Sequence, residues 1–124
     1  MRAGEFPDIE SCIRHLEGAS RSLLRTEASG FADRFAPLLQ ADTGDVISLT
    51  LALLGDYRHA KALAERLLPT AMDWSITPSP EGLTGKTRAA RYLVVIGGVR
   101  ASSGVASLAL IAALLRRAGG DEQT

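Results

Sequence analysis

Apolar residues return every three or four positions near the start of the chain: Ile9, Cys12, Ile13, Leu16, Ala19, Leu23 and Leu24. That spacing lays one apolar stripe along a helix, with Glu10, Arg14, Glu17, Arg21 and Arg25 mainly on the other face. Pro7 or Asp8 suits the first turn and Gly30 suits a left-handed stop, so the pattern predicts a helix over residues 7–29. Phe31, Phe35, Leu38 and Leu39 repeat at the same spacing, and Pro37 should kink or split the short helix they make. After "ADTGD", where Thr43 or Asp45 can cap, residues 46–54 are almost wholly apolar and predict a central helix. Gly55 reads as its stop and Asp56 as the next cap. Residues 57–68 then form a helix that turns Ala60, Leu63, Ala64, Leu67 and Leu68 inward.

Beyond this point the period weakens. Pro69 opens a last turn carrying Met72 and Trp74, and residues 75–82, with Pro78 and Pro80, read as a loop that Trp74 and Ile76 pin to the core. "RYLVVIGG" is β-branched, ends in a glycine pair and runs into a helix, the opening of a strand–turn–helix unit. No other segment reads as a strand, and a lone strand has no hydrogen-bonding neighbours, so residues 92–98 are assigned to helix. Residues 105–115 are apolar on nearly every face, and such a helix must be surrounded. Either the rest of the chain wraps it, or a second subunit covers part of it through Val105, Leu108, Ala112 and Leu115. The expected fold is all-α: a compact bundle of five to six helices, one domain over residues 1–118 with a frayed tail at 119–124.

Composition changes this picture little, but the distribution of charge does. Fourteen basic residues balance fourteen acidic ones. Yet residues 86–118 hold Lys86, Arg88, Arg91, Arg100, Arg116 and Arg117 and no carboxylate. The stretch over residues 92–115 is long enough to span a bilayer, but Arg100, two serines and three glycines interrupt it, so no membrane partner is expected. The single Cys12 excludes an internal disulfide, and the polar, helix-starting opening lacks a leader pattern; a cytoplasmic location is expected.

Gly85-Lys86-Thr87 ends like a phosphate-binding loop, but the first glycine of that motif falls on Pro80, and a proline-rich stretch stands where a buried strand is required. Thr84 reads instead as a helix cap, with Lys86, Arg88 and Arg91 crowding the positive end of that helix. Cations there, beside unpaired backbone donors, are either neutralised by Glu81 and acidic side chains of the first four helices or form an anion or nucleic-acid site that also takes in Arg100. Cys12 and His15 have the spacing of two metal ligands, but His59 is the only other histidine, and Cys12 falls within the apolar stripe. No metal, cofactor or catalytic group is expected, since no nucleophile, base and orienting group stand together.

The run from Arg34 to Leu54, followed by the helix starting at Asp56-Tyr57, resembles the small all-helical subunits of type III CRISPR effector complexes, with Pro37, Leu38, Leu39 and Gly44 as its anchors. Asp45 departs from that pattern, which prefers an aliphatic residue there. The resemblance implies a nucleic-acid backbone contact through a basic face, which Arg88, Arg91 and Arg100 would supply. Two functional readings follow. The leading one is a non-enzymatic interaction or assembly protein acting through helix faces, as a homo-oligomer or within a larger complex, with an anionic partner at the basic C-terminal region. The alternative is a subunit binding nucleic-acid backbone in a ribonucleoprotein or phage-defence complex.

Overall fold

In a computed structural model the described residues are 9–19, 23–68, 73–79, 83–84, 87–88 and 91–123. Four helices come first: α1 (Ile9–Gly18), α2 (Arg25–Leu39), α3 (Thr43–Leu53) and α4 (Tyr57–Leu67). Five strands follow, β1 (Trp74–Ser79), β2 (Leu83–Thr84), β3 (Thr87–Arg88), β4 (Arg91–Ile96) and β5 (Val99–Ser103), and α5 (Ala106–Gln123) comes last. The fold is therefore mixed helix and sheet, and the all-α bundle expected from periodicity is overturned.

The correction centres on residues 92–98. They are not helix: β4 is the middle strand of an antiparallel sheet ordered β1-β4-β5. Its two neighbours were hidden for separate reasons. β1 contains Pro78 and reads as loop, yet Trp74 pairs with Ile96, Ile76 with Val94 and Pro78 with Tyr92. The Gly97 N–H donates to Asp73 O at 3.2 Å, so the odd-numbered residues of β1 bond to β4 and the even-numbered ones face away. Pro78 falls on the outward set, where a missing N–H costs nothing, which is how an edge strand carries a proline. β5 is short and small, but Val99, Ala101 and Ser103 alternate inward against α5. Gly97 turns the chain from β4 to β5 at φ +59°, the first central position of a type II′ hairpin turn.

Helix α5 lies between the sheet and the four other helices and touches all of them. That placement explains a run, Ser107 to Leu115, with every residue buried. The centre belongs to α5 rather than to α3, which buries Leu49, Ala52 and Leu53 but leaves Ile47 61% exposed. Near the N-terminus the single long helix is also corrected. α1 ends at Gly18, and α2 starts after Leu24, whose extended backbone accepts no side-chain cap but whose N–H donates to Glu27 Oε1. Gly30 lies inside α2 and stops nothing, because Ala28, Phe31, Ala32 and Phe35 bury that turn and outweigh the cost of about 1 kcal/mol for a helical glycine. Pro37 sits exposed in the last turn and the helix continues past it to Leu39, closed by Gln40 in the left-handed region at φ 55°.

Side-chain caps set the other boundaries. Asp42, not Thr43 or Asp45, caps α3: it accepts from the Asp45 N–H at 2.8 Å, while Asp45 accepts from the Asp42 N–H at 3.2 Å. Arg66 of α4 closes the box, with Nε 2.6 Å from Asp45 Oδ1 and a terminal nitrogen 2.6 Å from Asp42 Oδ2. Asp56 caps α4 as expected, accepting from the Arg58 and His59 N–H groups. The Asp45 N–H, aided by the Arg66 charge, holds the Asp42 carboxyl below its ordinary 3.8. The His59 side chain does the same for Asp56, joined by its backbone N–H. A carboxyl depressed in the folded state stabilises it above the unfolded value, and that contribution disappears as pH falls through the folded one. Thermal melts should therefore hold level down to about pH 4 and then decline, and the Asp42→Asn, Asp56→Asn double variant should decline less steeply.

Candidate functional site

The described cations after residue 85 fall on different elements once the chain is folded. Arg116 belongs to the scaffold, with one terminal nitrogen 2.5 Å from Glu17 Oε1 and 3.4 Å from Glu10 Oε1. The other Glu17 oxygen accepts the Ser102 N–H at 3.3 Å. Ser102 is an even-numbered residue of β5, directed away from β4, so Glu17 blocks the outer edge of that strand while it neutralises Arg116. Next to it the buried Ser103 Oγ donates to Leu16 O at 2.8 Å and fastens α1 to the sheet.

Arg88 stands in β3 opposite Leu83, and Arg91 opens β4 opposite Ser79. Lys86 lies outside the described residues. Arg100 of β5 pairs in register with Val95, is exposed, and makes no ion pair among the described residues. The helix expected to start at Thr84 is absent: Thr84 pairs with Thr87 across an antiparallel ribbon. Strands, not a helix N-terminus, therefore carry Arg88, Arg91 and Arg100.

Pairing partners share a face of the sheet, so the side opposite α5 carries Ser75 and Thr77 from β1, Leu93 and Val95 from β4, and Arg100 and Ser102 from β5. Ser75, Thr77 and Arg100 are exposed, and Leu93 and Val95 are only partly covered. The result is a shallow surface with two aliphatic side chains in the middle, hydroxyls along one strand and a guanidinium on the other. It offers hydrogen bonding, apolar contact and positive charge, and no group placed for bond-making chemistry. Sequence reasoning named Arg100 but missed Ser75, Thr77, Leu93 and Val95. The signal was there in β4, where 92, 94 and 96 alternate with 93 and 95, but both sets are apolar enough to hide the period.

The residues named for a subunit interface sit elsewhere. Leu108, Ala112 and Leu115 are fully buried inside the chain's own core, and Val105 is partly buried at the entry to α5. Cys12 is fully buried. His15 stacks on Phe31, with ring centroids 5.7 Å apart, and its Nε2 lies 3.7 Å from Glu27 Oε2. His59 is engaged at the α4 cap, 2.8 Å from Asp56. Among the described residues no cluster of three metal-ligating side chains occurs, and no helix is long and apolar enough to cross a membrane. A cleft of about 290 Å³ opens where α2, α4 and α5 converge, walled by Leu38, Leu39, Leu67, Leu68 and Leu114 with Arg117 at its side. Its volume is at the lower limit for small-molecule pockets, and two helix C-termini, at Gln40 and Leu68, face it with carbonyl ends that disfavour anions.

No family model, curated protein or solved structure matches the chain. The all-helical fold implied by the resemblance around Pro37 and Gly44 does not hold, because a three-stranded sheet occupies the second half.

Proposed function

We propose that this chain is a small non-enzymatic binding protein that meets its partner on the β-sheet, and that the partner is a polyanion, with nucleic-acid backbone the chemistry that fits. One observation carries the reading: among the described residues helix packs on one face of the sheet, and the other face holds an exposed Arg100 that makes no ion pair among them, within a stretch that has no acidic residue from 82 to 118. Arginine suits this role because its planar fork grips phosphate with two hydrogen bonds. Placing contact on the sheet also agrees with the burial of α5 from Ser107 to Leu115, which leaves no face of that run for a partner. Fluorescence anisotropy against labelled nucleic acid, repeated over a salt series, tests the proposal. The logarithm of the binding constant should fall linearly with that of salt, and Arg100→Ala should lower the slope by about one contact. Binding that ignores salt, or no binding at low salt, sinks the reading.

A second reading, assembly with a protein, is favoured by α3. Ile47 and Leu51 stand one turn apart on it, and Ile47 is exposed. Light scattering of the purified chain should then give a mass above that of one copy, and Ile47→Asp should return it to monomer. A monomeric mass before substitution removes self-assembly through this face.

A further inference from the structure

The two edges of the three-stranded sheet differ. On β5 the even-numbered residues face outward, and there Glu17 takes the Ser102 N–H and guards the edge. β1 is the other edge, with β4 on one side and no strand on the other among the described residues. Asp73 O accepts from the Gly97 N–H, so the odd-numbered residues of β1 bond to β4 and the N–H and C=O of Trp74 and Ile76 turn outward. No described group takes them. Pro78 follows in the same outward set and is exposed, with a carbonyl but no N–H. The strand "WSITPS" carries no charge of either sign, although charge is a common guard on an edge.

The face toward the helices is unfinished at the same strand. Val94 and Ile96 of β4, and Ala101 and Ser103 of β5, are buried where α5 packs on those two strands. Trp74 and Ile76 share that face, since they pair with Ile96 and Val94, yet both are only partly buried. Whatever completes this edge must supply an extended backbone for the ladder and apolar side chains on the α5 side. β1 itself meets both demands. Paired with its own copy about a two-fold axis it runs antiparallel, and with Ser75 on the axis Trp74 of each copy faces Ile76 of the other. Both pairs then exchange N–H···O bonds in each direction and set an aromatic ring beside a β-branched side chain, a favoured cross-strand combination. Asp73 faces Thr77 in this register, so no like charges oppose each other. An axis at Ile76 would instead put Pro78 opposite Trp74 and leave the Trp74 carbonyl without a donor. Because Glu17 guards the far edge, addition stops at two copies and does not run on into a fibre.

We infer that β1 pairs with the β1 of a second copy of this chain across a two-fold axis at Ser75, joining two three-stranded sheets into one. The axis stands perpendicular to the sheet, so both open faces lie on one side. The Arg100 residues of the two copies are then five strand spacings, or about 24 Å, apart. The pairing does not rest on the polyanion reading, but it doubles the surface available to such a partner.

Light scattering of the full chain at about 100 μM, with no nucleic acid present, should give twice the mass of one chain. Ile76→Pro removes an outward donor and should return the mass to that of one chain. Ser75→Lys should do the same at an exposed position, with every backbone group kept and two like charges set at the axis, and its circular dichroism should match that of the parent chain. Ser75→Cys gives a positive signature. The two copies of that residue form a non-hydrogen-bonded pair with Cα atoms about 4.5 Å apart, within reach of a disulfide. Oxidised glutathione should therefore link that variant into a dimer on a non-reducing gel, while the parent chain, whose Cys12 is fully buried, stays unlinked. Ile47→Asp should leave the doubled mass unchanged, which separates this pairing from assembly through α3. A parent chain of single mass overturns the inference, as does a dimer that survives Ser75→Lys or that Ser75→Cys fails to link. None of these readouts involves nucleic acid, so failure of the polyanion reading would leave them unmoved.

Discussion

Ala112→Asp unfolds the protein at ambient temperature or brings it close to that point. Ala112 is fully buried in the middle of α5, with the sheet on one side and helices on the others. A carboxylate there meets Leu108, Ile111 and Leu115, all fully buried, and no described cation stands within the run from Ser107 to Leu115 to pair with it. An unpaired buried charge costs more than about 4 kcal/mol, a large share of the 5–15 kcal/mol that holds a domain of this size together. Circular dichroism and urea titration would read the loss directly. Ala106→Asp is the control: at the partly exposed first residue of α5 a carboxylate meets the positive end of the helix dipole and should be tolerated. If Ala112→Asp instead gave a folded chain of reduced mass, α5 would be an intersubunit face after all.

That outcome bears on what could be read from residues alone. An all-round apolar helix announces that it is surrounded, and it is; the sequence pattern carries no information on whether the surroundings are one's own sheet or a second subunit. Helix α4 was legible in full because its signals are local: the Asp56 cap, then Ala60, Leu63 and Ala64 on one face. The break between α1 and α2 was not, since Leu23 and Leu24 continue the stripe on paper. In the fold only Leu23 is buried, its N–H donating to Leu53 O at 3.1 Å, while Leu24 is 64% exposed. A long-range hydrogen bond decides that boundary, and periodicity has no access to it.

The sheet illustrates the same limit in its strongest form. β4 was visible as a β-branched run and was set aside for want of partners, because β1 looked like a proline loop and no other segment read as a strand. Pairing is a property of two segments together, and each of these is too short or too irregular to be recognised alone. The basic cluster fared differently. Arg88, Arg91 and Arg100 were legible as an acid-free run of charge, but the element that carries them is a ribbon and an open sheet face rather than a helix start. Composition located the charge; only pairing gave it a shape.

Val94→Pro should be the most damaging substitution in the sheet. Even-numbered residues of β4 face β5, so the Val94 N–H is the donor toward Ala101, and the side chain is fully buried against α5. Proline removes that donor, strands a buried carbonyl and costs about 3 kcal/mol or more. The register itself is tested one strand away. Ser75 is odd-numbered, so its N–H bonds to β4, whereas the N–H of Ile76 points outward with that of Trp74. Ser75→Pro should therefore lower the denaturation midpoint more than Ile76→Pro, even though Ser75 is the exposed residue and Ile76 is packed on the core. Burial alone predicts the reverse order, so the two melts separate a paired edge strand from a loop merely pinned by its apolar side chains. Because the open face is formed by this pairing, a reversed order would also withdraw the scaffold that presents Arg100 beside Leu93 and Val95.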